Sequence, residues 1–137
     1  MGARTLVLFD LDETLFDHKH AIRLALADLQ SRHAPLRTVS LDTLIERARS
    51  IVDTVHLALL EGRIDPAAAR IERMRQLFLA CGDSPDAAFL DRTAALYGGV
   101  YRSLRRAVPG SADVLARFRD QRSVWAIGIL TNHFTEA

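Results

Sequence analysis

The sequence predicts an α/β fold in which two short parallel strands are separated by a long, entirely helical segment. Residues 5–9 and residues 123–130 are continuous apolar runs, and their length and composition are typical of strands buried on both faces. Between these runs, apolar residues recur at helical spacing over about 90 residues. A connection that contains helices favours parallel pairing of the two strands, because an antiparallel pair needs only a tight turn.

Start and stop signals divide the segment between the strands into helices. The predicted helices cover about residues 17–33, 41–61, 66–82 and 84–106, and a shorter one follows residue 110. Ser40 is a favourable N-cap, and Asp65-Pro66 and Ser84-Pro85 each place a capping side chain before a proline, which suits the first helical position.

These elements divide the 137 residues into two predicted parts: a partial α/β core domain of residues 1–16 and 107–137, and a helical cap domain of residues 17–106. A net charge of +1 and arginines spread through helical stretches argue against a nucleic-acid-binding protein. The single cysteine, Cys81, cannot form an internal disulfide. There is no basic-then-apolar leader and no apolar run of ~18 residues, so we expect a cytoplasmic protein without membrane contact.

The candidate functional residues directly follow the two predicted strands. Asp10 and Asp12 follow the first apolar run, and Thr131 and Asn132 follow the second. Parallel strands bring their C-terminal ends to one edge of the sheet, where open α/β folds bind ligands, so we expect the four residues to converge. An Asp-x-Asp pair occurs about once by chance in such a chain, so the preceding strand and Thr14 give this pair its weight. An ordinary turn and helix cap is the structural alternative.

Two segments resemble the motifs of a known family. FDLDETL at residues 9–15 resembles the first motif of the haloacid dehalogenase-like (HAD) superfamily, and ILTN at residues 129–132 resembles the second. Pro109-Gly110 before the second strand is typical of the subfamily whose helical cap lies between these motifs. The resemblance spans essentially the whole chain. It implies a Rossmannoid core, of which this sequence supplies the first two parallel strands, and an inserted all-helical cap.

The resemblance implies a Mg²⁺-dependent phosphatase. Asp10 would attack phosphorus and form an aspartyl-phosphate, and Asp12 would serve as general acid and then as general base. Both would also bind Mg²⁺, Asp10 through its side chain and Asp12 through its backbone carbonyl. Thr131 and Asn132 would bind the phosphoryl oxygens. Aspartate at position 12 favours phosphatases and phosphomutases over dehalogenases, in which no leaving alkoxide needs a proton.

Two further motifs of the family, a basic residue and a set of acidic Mg²⁺ ligands, have no counterpart in the sequence. We therefore expect an N-terminal part of a longer enzyme that is inactive by itself. A phosphomutase of the same superfamily and a non-catalytic interaction module are the alternatives. A two-stranded sheet would expose its edges, which predicts self-association.

The expected substrate is a small phosphorylated metabolite, either a nucleotide or a sugar phosphate. The pattern EGRI at residues 61–64, followed by Arg73 and Phe78, is similar to the branch that contains nucleotide 5′-phosphatases and acylneuraminate phosphatases. His18, Lys19 and His20 closely follow the first motif and are candidates for the cap hinge or the substrate pocket.

Overall fold

The computed structural model of the chain describes residues 5–120 and 125–131. The elements in chain order are β1 (Thr5–Asp10), α1 (His18–Arg32), a 3₁₀ helix (Ala34–Thr38), α2 (Leu41–Leu60), α3 (Pro66–Ala80), α4 (Ala87–Ser103), α5 (Ser111–Asp120) and β2 (Trp125–Leu130). This mixed α/β order, with helices between two strands, confirms the predicted fold class. Across the described ranges, no helix combines the length and the hydropathy needed to span a membrane.

Strands β1 and β2 form a parallel pair, which confirms the predicted pairing. The sequence predicted Asp10 to be the first residue beyond β1. The ladder instead continues to the pair Asp10 and Leu130, so Asp10 is the last residue of β1. Helix α5 packs against the sheet, where the rings of Phe118 and Phe9 meet edge-on with their centroids 5.5 Å apart. The C-terminal ends of the two strands therefore lie side by side.

The chain divides into two compact units. The α/β unit contains Met1–Ala21 and Arg105–Ala137, and the helical unit contains Ile22–Leu104. The domain borders predicted from the sequence followed residues 16 and 106. The structure places the first turn of α1, together with Arg105 and Arg106, with the sheet and not with the other helices.

The helical unit encloses an apolar core. Its largest fully buried side chains are Phe78, Leu26, Leu29, Leu36, Leu44 and Leu77. The ring of Phe78 contacts the rings of His33 and Phe89 edge-on, with centroid separations of 5.4 Å in both cases. Edge-to-face packing is favourable for aromatic rings, so this cluster joins the end of α1 to α3 and α4.

Side-chain caps begin α2, α3 and α4. Ser40, Asp65 and Asp86 each accept a hydrogen bond from the N–H three residues later, at 3.1, 2.8 and 2.7 Å. The first two caps agree with the sequence prediction. The predicted start at Ser84-Pro85 was wrong, because Asp86 supplies the cap and α4 begins directly after it.

Helix α4 ends at Ser103, earlier than the predicted residue 106. The following segment is drawn into an extended pairing with the loop after β1. Ala107 forms an antiparallel bridge with Phe16, and the N–H of Val108 donates to the carbonyl of Leu15 at 2.9 Å. A contact that is distant in sequence therefore decides where this helix stops.

Among the described residues, one face of the sheet in the α/β unit is largely exposed. Leu6, Leu8 and Leu130 are 60%, 54% and 66% exposed. The alternation of side chains along a strand places Leu6 and Leu8 on the face opposite Phe9, which packs against α5. Within the described part of this unit, Ala21 is the only buried residue. Self-association through this sheet stays a prediction.

Candidate active site at the end of the sheet

The chain turns sharply after β1. The carbonyl of Leu11 accepts hydrogen bonds from the N–H groups of Leu15 and Phe16 at 2.9 and 2.8 Å, and the N–H of Glu13 donates to the carbonyl of Phe16 at 2.8 Å. Glu13 adopts the left-handed backbone conformation, with φ of +62°. The turn follows Asp10 directly and contains Asp12, so both predicted carboxylates lie at the C-terminal end of β1.

Asp10 is exposed at the end of the strand, and Thr14 orients it. The Thr14 hydroxyl donates to Oδ2 of Asp10 at 3.4 Å, which is a long hydrogen bond. Among the described residues, Oδ1 of Asp10 accepts no hydrogen bond. The sequence identified Thr14 as part of the motif but assigned it no contact.

An open hollow of about 730 Å³ lies at this end of the sheet, and its volume is typical of small-molecule sites. Its lining residues are Leu8, Asp10, Asp12, Leu130 and Thr131. Oδ1 of Asp12 is buried, whereas the Asp10 side chain is exposed. Three of the four predicted site residues therefore surround one hollow. The fourth, Asn132, lies outside the described residues.

The donor atoms around the hollow suit a hard cation. Asp10 and Asp12 offer carboxylate oxygens and Thr131 offers a hydroxyl, and Mg²⁺ prefers oxygen ligands in an octahedral shell. No group of three or more acidic, histidine or cysteine side chains that could hold a metal occurs in residues 5–120 and 125–131. The residues present therefore fit part of a Mg²⁺ site, which also needs carbonyl, water or substrate oxygens.

Glu13 supports this turn, and the sequence reasoning did not identify it. Its carboxylate accepts the backbone N–H of Lys19 at 2.6 Å and lies 3.2 Å from the Lys19 ammonium. Partial burial acts to raise the pKa of Glu13, but the contacts with Lys19 outweigh it, so the pKa lies below its ordinary value. The sequence offers no signal for this role, because an acid six residues before a lysine is an ordinary surface pattern.

Asp17 connects three segments of the α/β unit. Its Oδ1 accepts the N–H of His20 at 3.2 Å and so caps α1. Its Oδ2 accepts hydrogen bonds from Nε and Nη2 of Arg106 at 2.9 and 2.7 Å, and its own N–H donates to the carbonyl of Arg106 at 3.0 Å. The Arg106 guanidinium holds the pKa of Asp17 below its usual range, with help from the N–H of His20.

The three residues singled out after the first motif form the first turn of α1. Lys19 pairs with Glu13, the backbone N–H of His20 bonds to Asp17, and the His18 ring lies 5.9 Å from the ring of Phe16. His18 and Lys19 therefore contact the turn that carries Asp12, through Phe16 and Glu13 respectively.

A second hollow, of about 330 Å³, lies between α2 and α3 in the helical unit. Its charged side chains are already paired, since Arg63 bonds to Glu61 and Glu72 bonds to Arg75. This hollow has no pair of carboxylates beside a hydroxyl. Of these two hollows, the one at the end of the sheet is the one that brings two carboxylates and a hydroxyl together.

Two solved structures share the arrangement of two parallel strands, α5 and a set of helices between the strands. A HAD-hydrolase bound to magnesium, YfnB from Bacillus subtilis, is similar with a TM-score of 0.70 and 23% sequence identity, over 96% of this chain and 55% of that chain. A 2-haloacid dehalogenase from Pseudomonas syringae pv. tomato is similar with a TM-score of 0.58 and 22% identity, over 98% of this chain and 57% of that chain.

The chain thus spans little more than half the length of these two structures. No protein-family model matches the sequence, and no curated protein matches it significantly. At these identities the likeness establishes the fold, and the chemistry has to be argued from the residues of the site.

Proposed function

We propose that this chain is the nucleophile-bearing part of a Mg²⁺-dependent phosphatase that hydrolyses a small phosphorylated metabolite. The observation that carries the proposal is that Asp10, Asp12 and Thr131 line one hollow at the C-terminal end of two parallel strands. The HAD-like fold, shared with a hydrolase that was solved with magnesium bound, supports it.

In the proposed reaction, a carboxylate oxygen of Asp10 forms a bond to phosphorus while the bond from phosphorus to the leaving oxygen breaks. Thr14 donates a long hydrogen bond to Oδ2 of Asp10, and we assign the attack to Oδ1. Asp12 donates a proton to the leaving oxygen. It then takes a proton from the water that hydrolyses the aspartyl-phosphate. Thr131 and Asn132 bind the phosphoryl oxygens.

Asp10 and Asp12 would hold the Mg²⁺ ion, the first through its side chain and the second through its backbone carbonyl. When bound, the cation supplies positive charge between an anionic phosphate and a carboxylate nucleophile, which otherwise repel each other. Removal of Mg²⁺ with a chelator should therefore abolish turnover, and added Mg²⁺ should restore it.

The test is release of phosphate from p-nitrophenyl phosphate by the longest natural form of the protein. Asp10→Asn should lower kcat by about a thousandfold or more, because the amide is no nucleophile. Asp53→Asn is the matched control, since Asp53 is an exposed carboxylate in the helical unit, and it should retain full activity. Undiminished activity of Asp10→Asn would refute the mechanism. A panel of nucleoside monophosphates and sugar phosphates would then identify the substrate class.

A dehalogenase is the second candidate, because one similar structure is a 2-haloacid dehalogenase. A departing halide needs no proton, so an acid at position 12 would have no task in that reaction. Halide release from 2-chloropropionate, undiminished in Asp12→Ala, would favour the dehalogenase.

Two alternatives from the sequence remain testable as well. A phosphomutase would isomerise a sugar phosphate faster than it releases phosphate, and a non-catalytic module would bind no Mg²⁺ in calorimetry.

We also propose that activity requires a further α/β segment, in the same chain or in another, that extends the sheet. Leu6, Leu8 and Leu130 are exposed on the sheet, whereas parallel sheets are normally covered on both faces. The two similar structures are also nearly twice as long. The 137 residues alone should therefore hydrolyse no phosphate ester, and the protein isolated from its natural source should be active. Full activity of the 137-residue chain would contradict this.

A further inference from the structure

Glu13 occupies a backbone conformation that residues with a long side chain rarely adopt. Its φ of +62° lies in the left-handed region, where the Cβ of an L-residue crowds the following carbonyl oxygen. Within residues 5–120 and 125–131, it is the only residue other than glycine with a positive φ. Since backbone strain persists only where the surroundings impose it, the Glu13 side chain must be retained for something that glycine could not supply.

The contacts of Glu13 show what its side chain adds. The carboxylate reaches from the turn to the first turn of α1, where it accepts the N–H of Lys19 and pairs with the Lys19 ammonium. The Lys19 side chain is 71% exposed, and an exposed ion pair of this kind contributes little to stability. The ion pair with the Lys19 ammonium alone therefore does not account for a glutamate at this position.

The neighbours of Glu13 in the chain are both residues of the site. Asp12 lines the hollow, and the Thr14 hydroxyl donates to the carboxylate of Asp10. Both are connected to the rest of the α/β unit through this tight turn. A rotation of the turn at Glu13 would therefore displace the acid–base residue and the group that orients the nucleophile at the same time.

We propose that Glu13 is a positioning residue, which holds the turn against the first turn of α1 and so sets the places of Asp12 and Thr14 relative to Asp10. The expected effect of Glu13 on turnover rests on the function proposed above. Its expected effect on the conformation of the turn does not. Glu13 acts through Lys19, which forms both contacts with its backbone N–H and its ammonium group.

The test compares Glu13→Ala, Glu13→Gly and Glu13→Gln with Asp42→Ala. The control carboxylate of Asp42 is exposed and forms an equivalent ion pair with Arg23, at 2.7 Å, in the helical unit. Amide chemical shifts and hydrogen exchange of the 137-residue chain report on the turn, and thermal unfolding reports on stability. In the longer natural protein, the kcat and KM for p-nitrophenyl phosphate report on the site.

We expect faster exchange and shifted signals at Thr14 and Phe16 in Glu13→Ala and Glu13→Gly, and kcat lower by about tenfold with KM unchanged. Glu13→Gly should unfold at no lower a temperature than the original protein, since glycine relieves the backbone strain. Glu13→Gln should be affected least, because its side-chain oxygen still accepts the Lys19 N–H. Asp42→Ala should change none of these readings.

Unchanged signals at Thr14 and Phe16 in Glu13→Gly would overturn the proposal, and so would a loss of kcat that merely follows a loss of thermal stability. Failure of the proposed function is a separate result. In that case the original protein releases no phosphate, while the amide signals of the Glu13 variants still decide whether this residue holds the turn.

Discussion

The two units of the chain divide packing and chemistry between them. Every fully buried large side chain in the described residues belongs to the helical unit, with Phe78 at the centre of its aromatic cluster. The described part of the α/β unit buries only Ala21, yet it carries Asp10, Asp12 and Thr131. The candidate site therefore lies in the unit whose described residues form no closed core, and the closed core lies in the other unit.

The difference shows two ways of holding residues in place. In the helical unit, apolar faces at helical spacing pack into one core, and position follows from close packing. In the α/β unit, strand pairing and a few polar contacts hold the residues in position. Among these contacts are the ion pairs of Glu13 with Lys19 and of Asp17 with Arg106. Substitutions in the first unit should therefore change the free energy of unfolding. Substitutions in the second should change the geometry of the site with little loss of stability.

The largest effect on stability should come from Phe78→Ala. The side chain is fully buried, and truncation of a core phenylalanine costs about 3–5 kcal/mol through lost burial and the cavity left behind. Urea unfolding followed by circular dichroism at 222 nm measures this. Leu79→Ala, next in the chain but 54% exposed, is the control and should change stability by about 0.5 kcal/mol or less. Similar losses in both variants would mean that the helical unit has no well-packed core.

The sequence predicts the parts of the molecule that depend on local patterns. Short apolar runs identify both strands, and the helices between them imply parallel pairing. Polar residues at the strand ends therefore identify Asp10, Asp12 and Thr131 as neighbours. The same patterns locate most of the helices and two of their caps, at Ser40 and Asp65. These features depend on residues within a few positions of each other.

The features that the sequence did not predict depend on contacts between distant residues. Asp17 and Arg106 are 89 positions apart, and neither differs from an ordinary surface charge when read in sequence. The pairing of Phe16 with Ala107 holds the segment after α4 in an extended conformation. The end of that helix could therefore not be predicted from helical propensity. Glu13 was also missed, because its backbone conformation and its contact with Lys19 become visible only in the folded turn.

A smaller effect should follow from His33, whose ring contacts the rings of both Phe78 and Phe89. Burial lowers the pKa of His33, and the neighbouring Arg32 adds to this, while Asp28 opposes it. The unfolded chain therefore binds the proton more readily than the folded one. The stability contributed by neutral His33 should be present above the ordinary pKa of about 6.5 and should fall as the pH decreases below it.

Thermal unfolding at pH 7.5 and at pH 5 measures this effect. The midpoint of the original protein should be lower at pH 5. His33→Phe keeps an aromatic ring against Phe78 and Phe89 without a titrating group, so its midpoint should change less over the same interval. An equal decrease in the two proteins would assign the pH dependence to other groups. The helical core would then be insensitive to this histidine.

The smallest effect on stability should come from the double variant Leu6→Ser and Leu130→Ser on the sheet. Both side chains are mostly exposed, so the free energy of unfolding should change by about 0.5 kcal/mol or less. Sedimentation velocity should show less self-association, because uncovered apolar sheet surface favours pairing with another chain. Leu60→Ser in the helical unit, with 61% exposure, is the matched control and should leave association unchanged. A loss of several kcal/mol in the double variant would mean that this face is covered within the chain, and the contrast between the two units would disappear.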